Sequence, residues 1–345
     1  MKITSIETKK INLELYKEFK ISFATIKSIE NVIIKISTDE GITGYGEAAP
    51  FAPVTGETAD TVIPVLELLK PVLIGSNPLE IETIHSLMNN TVYGNTSAKC
   101  AIDIACYDIA GKAAKKPLYQ LLGGENNTVQ NDVTIGISSP EKMAEEASCL
   151  TKEKGYRILK VKAGVNQDFD LTALSLIRKA VDENIRIRID ANQGYSVNSA
   201  KEFINKLNGL NIELIEQCLP YWDIESHALL RNNSSGVKIM LDESIHDFHD
   251  AERACKSKAA DMINIKLMKS GGIYHGLKIN EIAGCHRVTC MVGCMLETRL
   301  ALTAGLSLAA AKSNITDVDC DSFLFYDDTK TGIIGGFTFL GDTVQ

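Results

Sequence analysis

Apolar and polar positions divide the chain into two textures. In the first fifty residues, "NVIIKIST" (31–38) reads as a strand, Asp39-Glu40-Gly41 as a turn, and "GITGYGEAAP" (41–50) as a second strand. Residues 57–90 have a helical period, interrupted near Pro71 and Pro78. "AKCAIDIACYDIAGKAAKKPLYQLLGG" (98–124) predicts a long helix that stops before Pro117 and leaves through Gly123-Gly124. After Gly124, short β-branched runs alternate with helical stretches. The runs are "VTIGI" (133–137), "ILKVKA" (158–163), "IRIRIDAN" (185–192), "IELIEQ" (212–217), "VKIMLDES" (237–244), "MINIKL" (262–267), "VTCMVGC" (288–294) and "TDVDCDS" (316–322). Eight strands with a helix after most of them imply parallel pairing. The fold class they point to is α/β: a modified (β/α)8 TIM barrel with an N-terminal α+β capping domain. Boundaries are expected at 1–120 for the cap and 121–318 for a (β/α)7β-type barrel with a catalytic rim. Residues 319–345 would form a C-terminal segment returning to the cap. A doubly wound sheet is the alternative.

Barrel strands are buried on both faces and should be apolar throughout. Here their C-terminal ends carry charge. Lys160 and Lys162 stand two apart on the second run and share a face. Alone they would suit a solvent-facing edge strand. The third run, however, ends at Asp190, the fourth at Glu216, the fifth at Asp242 and the sixth at Lys266, at intervals of 26, 26 and 24 residues. A βα unit of a barrel averages roughly 30 residues, so each charge falls one unit further round the rim where barrel enzymes keep their active sites. Three converging carboxylates repel unless a cation joins them, and an oxygen-only set suits Mg²⁺ better than zinc. Asp190, Glu216 and Asp242 are therefore the candidate ligands of one Mg²⁺ per chain, with Mn²⁺ able to substitute. Lys162 and Lys266 become candidate bases facing each other across the metal, with Lys160 as a neighbouring cation that lowers the pKa of Lys162.

Composition narrows the field. The 345 residues carry a net charge of -8 with no basic tract, which argues against a nucleic-acid partner. Nine cysteines form no CxxC pair and read as reduced thiols. Met1–Tyr16 lacks the apolar core of a secretory signal, and the longest apolar run, "LALTAGLSLAAA" (300–311), is too short to span a bilayer. A cytoplasmic enzyme with no membrane contact is the expectation, and a homo-oligomer is left open. "GKAAKKP" (111–117) lacks the glycine spacing of a phosphate-binding loop.

In family order, "GYGEAAP", "TGET", "AIDIACYDIAGKAAKKPLYQLLGG", "KVKAG", "DANQGY", "IEQCLP", "LDES" and "INIKLMKSGG" resemble the motifs of the enolase superfamily, and within it the muconate-lactonizing-enzyme subgroup. The resemblance covers nearly the whole chain. It implies removal of a proton beside a carboxylate, with an enediolate stabilised by Mg²⁺, and support of the ligands by Asn192 and Glu243. "DVDCDS" is similar to the D-x-D pair of dipeptide epimerases of the L-Ala-D/L-Glu kind, which implies that Asp319 and Asp321 bind a substrate α-ammonium. The implied function is Mg-dependent epimerisation of the C-terminal residue of a dipeptide by two-base 1,1-proton transfer. A cycloisomerase or o-succinylbenzoate synthase of the same subgroup is the alternative, and neither needs an ammonium-binding pair.

The substrate's second side chain is expected to meet the cap at loops 17–27 and 51–57, with Phe19, Lys20, Thr25, Phe51 and Val54 as candidate contacts. Relatives that act on glutamate resemble one another in carrying an arginine in the first of these loops. The matching position here is Ala24, which leaves Lys20 and Lys27 as the cations at hand. The expected substrate has alanine first and tolerance at the second position. L-Ala-L-Glu leads by resemblance, with Gln, Met or Leu accepted comparably.

Overall fold

The computed structural model describes all 345 residues. The chain opens with an antiparallel three-stranded sheet of β1 (Ile3–Ile21), β2 (Ala24–Thr38) and β3 (Thr43–Ala48). Helices α1 (Ala52–Thr55), α2 (Ala59–Leu73), α3 (Ile81–Thr91), α4 (Thr96–Ala114) and α5 (Leu118–Leu121) follow. One apolar core joins Val32, Ile34 and Ile36 of the sheet to Leu66 and Leu69 of α2 and Ala101 and Ala105 of α4. The glycines of "GYGEAAP" make that contact possible: a Cβ on Gly46 would stand 1.9 Å from the Ala101 carbonyl oxygen.

Two expectations for this region are corrected. Helix α2 runs through both Pro64 and Pro71, and the break falls between residues 74 and 80. An interior proline costs about 3 kcal/mol. Val62, Leu66, Leu69 and Leu73 are all fully buried, and at about 1.5–3 kcal/mol each they offset both prolines. Residues 17–27 are not a loop either. They are the end of a hairpin that pairs Phe19 with Ile26, Lys20 with Thr25 and Ile21 with Ala24, and that turns at Ser22-Phe23.

After β4 (Val129–Gln130), eight parallel strands run in sequence order: β5 (Val133–Ile135), β6 (Ile158–Lys162), β7 (Arg186–Asp190), β8 (Ile212–Glu216), β9 (Lys238–Leu241), β10 (Met262–Lys266), β11 (Thr289–Gly293) and β12 (Ile315–Asp319). A parallel bridge between Asn131 and Val318 joins the last strand to the approach of the first, giving the modified barrel. The covering helices are α6 (Pro140–Lys152), α7 (Gln167–Ala180), α8 (Val197–Lys206), α9 (Ile224–Asn232), α10 (Phe248–Lys256), α11 (Leu267–Ser270), α12 (Ile273–Cys285) and α13 (Arg299–Ala311). No helix follows β12 before the tail. There Leu15 of β1 bridges Tyr326, while β13 (Phe339–Leu340) and β14 (Thr343–Val344) form a small sheet with β4. No helix is long and apolar enough to cross a membrane.

The barrel floor is ionic. Arg188, 1% exposed, bonds Asp132 at 2.9 Å and Glu213 at 3.0 Å and also reaches Asp317. Burying such a charge is tolerable only because every side of the guanidinium meets a carboxylate.

Candidate active site

The charged strand ends converge as their spacing implies. Lys162 donates to Asp190 Oδ2 at 2.7 Å, and Lys266 lies 2.8 Å from Asp242 Oδ2. Lys160 sits deeper, 2.6 Å from Asp319, 2.7 Å from Glu216 and 3.1 Å from Asp190. Strands β6 and β10 are four apart in an eight-strand order, so Lys162 and Lys266 approach from opposite sides. The local turns hold the carboxylates in place. Asn192, at φ +40, lets the chain reverse so that its N–H returns to Asp190 Oδ1 at 3.0 Å. Its side chain donates to Glu243 at 3.2 Å. Gln217 Oε1 accepts the N–H groups of Asp242 and Ser244.

Electrostatics follow from this crowding. Burial favours the neutral form of Asp190, but Lys162 and Lys160 outweigh it and hold the group at about 2. Lys266 and Lys269 depress Asp242 further still. Glu216 is pushed up to about 7 by burial and by its neighbour Asp190, and Glu243 to about 8 by burial and Asp242. One expected base, Lys266, is not easily deprotonated while Asp242 holds it. Burial lowers Lys160 and Lys266, yet the carboxylates around them raise both above their ordinary values. Lys160 is engaged by Asp319, Glu216 and Asp190, and Lys266 by Asp242.

The three candidate ligands suit a divalent cation by chemistry. Each is buried, all donors are oxygen, and Glu216 Oε2 has the Lys160 ammonium at 2.7 Å as its partner, a place a cation already fills. Glu216 Oε1 is already fixed by Asn264 Nδ2 at 2.7 Å. In this arrangement ammonium groups hold the carboxylates, and no three Asp, Glu, His or Cys side chains are gathered round a common point as a metal site.

A pocket opens above this cluster, between barrel and cap. Lys162, Asn192, Asp242, Glu243, Lys266, Asp319 and Asp321 line its floor. Its walls include Phe19, Ile21, Phe23, Ile26, Phe51 and Val54 from the cap, with Met295 and Leu296 from the loop after β11 and Phe325 from the C-terminal segment. Lys160, Asp190 and Glu216 lie beneath it. Asp321 falls beyond the end of β12, so strand alternation does not place it. Instead its Oδ2 accepts the Thr134 N–H at 2.7 Å.

Lys20 and Thr25 are corrected as substrate contacts. They face each other across the hairpin on its solvent side, while Phe19, Ile21 and Ile26 take the pocket side. Lys27 is also exposed and pairs with Glu18 at 2.7 Å. Lys162 and Lys266 are thus the only cations lining the pocket. Sequence reading also missed Lys269, a fully buried ammonium 2.5 Å from Asp242 Oδ1. "KLMKSGG" carried it in view, but one helical turn beyond the strand end its direction was unreadable.

Residues 5–123 match the family model described as mandelate racemase / muconate lactonizing enzyme, N-terminal domain, and residues 142–337 the model described as enolase C-terminal domain-like. The chain belongs to the enolase superfamily. Within the superfamily it falls in the muconate-lactonizing-enzyme subgroup and resembles its dipeptide epimerases. A hydrophobic dipeptide epimerase of Enterococcus faecalis is 42% identical over 93% of this chain and 91% of its own length. An L-Ala-D/L-Glu epimerase of Clostridium acetobutylicum is 38% identical over 94% and 91%. An N-succinyl-L-Arg/Lys racemase of Bacillus cereus is 41% identical over 92% and 87%. The crystal structure of a dipeptide epimerase from E. faecalis, complexed with Mg and L-Leu-L-Tyr, superposes with a TM-score of 0.97 at 39% identity, covering 100% of this chain and 97% of that one.

Proposed function

We propose that this superfamily enzyme, an isomerase acting on amino-acid derivatives, inverts the C-terminal residue of dipeptides whose second side chain is uncharged and largely apolar. The observation that carries the reading is the pocket's division of charge. Two lysines oppose each other on its floor, two aspartates lie at the end of β12, and the cap walls offer no cation. The substrate carboxylate would lie over the Asp190, Glu216 and Asp242 cluster, with its Cα between Lys162 and Lys266. A Mg²⁺ ion held by those three carboxylates, one per chain, would supply the positive charge that makes a proton beside a carboxylate removable. One lysine takes the α-proton and the other returns a proton to the opposite face. Lys266 is free to act as a base only when Asp242 is engaged elsewhere.

Asp319 and Asp321 supply the amino-end recognition. Burial and Asp319 push Asp321 up to about 6, so a substrate ammonium beside it would be welcome. The same pair disfavours an N-succinyl substrate, which would bring a second carboxylate there. A cycloisomerase or o-succinylbenzoate synthase would have no use for it.

The side-chain expectation shifts toward apolar residues. Lys20 and Lys27 point away, and Glu30 joins the wall. A substrate carboxylate placed among Phe19, Ile26, Phe51 and Val54 would lose hydration worth several kcal/mol with no partner. With L-Ala-L-Leu, L-Ala-L-Glu and N-succinyl-L-leucine tested side by side, kcat/KM should favour the first over the second by about 10²-fold or more, and the third should be the poorest. Comparable rates for Leu and Glu would refute the apolar assignment. Rapid racemisation of the succinyl compound would refute the ammonium role of Asp319 and Asp321.

A further inference from the structure

We infer that Glu47, which lies outside the pocket, is a positioning residue for substrate selectivity: it fixes the pocket wall formed by Met295 and Leu296. The selectivity part rests on the dipeptide reading above. Glu47 is the last residue but one of the cap strand β3 and is fully buried. Its Oε1 accepts the Thr298 N–H at 2.8 Å and Asn31 Nδ2 at 2.7 Å. Its Oε2 accepts the Thr298 hydroxyl at 2.6 Å and the Ala301 N–H at 3.1 Å. A carboxylate from the cap therefore caps the N-terminus of the barrel helix α13.

Burying a carboxylate between two domains is costly, and an apolar contact would dock them more cheaply. The four donors and the positive end of the helix offset that cost. What the carboxylate adds is control of the loop before the helix. Asn31, held by Glu47, also donates to the Leu296 carbonyl at 2.9 Å. From the other side Ser322 and Tyr326 donate to the Glu297 carbonyl at 2.8 and 3.1 Å, and Glu297 Oε1 accepts the Met295 N–H at 3.1 Å. Asn31, Met295, Leu296 and Ser322 all line the pocket. The wall is thus suspended between the cap and the loop after β12, and Glu47 is its cap-side anchor. Glutamine at this position would present two N–H donors where the Thr298 hydroxyl and the Ala301 N–H also donate, leaving buried donors unpaired.

The test pairs amide hydrogen exchange with kinetics on Glu47→Gln. Protection should fall at Leu296–Ala301 while the strands β5–β12 keep theirs. KM for L-Ala-L-Leu should rise about tenfold with kcat within about threefold of wild type. Should Glu47→Gln not fold, Asn31→Ala removes the Leu296 tether and one of the four donors to Glu47, and should lower protection at Leu296–Ala301 and raise KM in the same direction. Unchanged protection at Leu296–Ala301 overturns the positioning role. A fall in kcat as large as that in kcat/KM overturns its restriction to selectivity. A wild-type enzyme that turns over no dipeptide defeats the pocket assignment, and the exchange data then decide alone whether Glu47 holds the wall.

Discussion

A Lys266→Ala enzyme should lose inversion of its dipeptide by roughly 10³-fold or more, in the range expected for removing a positioned acid–base group. It should nevertheless keep one half of the chemistry. Lys162 stands on β6, across the barrel from β10, and holds its place through Asp190 rather than through Lys266. In D₂O the variant should therefore exchange the α-proton of one epimer and not of the other. Lys162→Ala should show the opposite choice of epimer. Two face-specific bases predict this mirrored pattern. If both variants lost exchange with both epimers equally while folded, a single shared base would be the better account.

Replacing Asp190 with asparagine should remove turnover to a similar extent and weaken Mg²⁺ binding by about 10²-fold or more, beyond the 10–100-fold typical of groups that only support a ligand. Asp190 has several partners to lose. Its Oδ2 takes Lys162 at 2.7 Å with Lys160 at 3.1 Å, and its Oδ1 takes the Asn192 N–H. An amide keeps the shape but loses the charge that balances two buried ammonium groups. Calorimetric Mg²⁺ titration and turnover measured on the same preparation check both halves. Full activity in a thoroughly chelated wild-type sample would refute the metal assignment.

Much of the barrel and of the charged cluster beneath the pocket was legible because period and charge agreed. Charges at 190, 216, 242 and 266, at a strand end or one residue past it, repeat with the βα unit, and that repeat is visible without a structure. The cap was less legible. The β1–β2 hairpin turns at Ser22-Phe23 with no glycine or proline to mark it, so its register, and with it the outward direction of Lys20 and Thr25, could not be read. Pro71 misled because a local breaker rule ignores four buried residues on one face of α2. Lys269, Thr134 and Asn31 were missed for a common reason. Each acts through a partner 27 or more residues away, or 16 residues further on across a strand pair, a distance at which sequence spacing carries no direction.

The most direct test is to incubate the wild-type enzyme with L-Ala-L-Leu and Mg²⁺ in D₂O and follow mass and chirality together. Two-base inversion predicts a single deuterium, located at the leucine Cα, accumulating as the D-epimer forms, with alanine unlabelled. Inversion without deuterium, deuterium at the alanine Cα, or an unchanged dipeptide would contradict it.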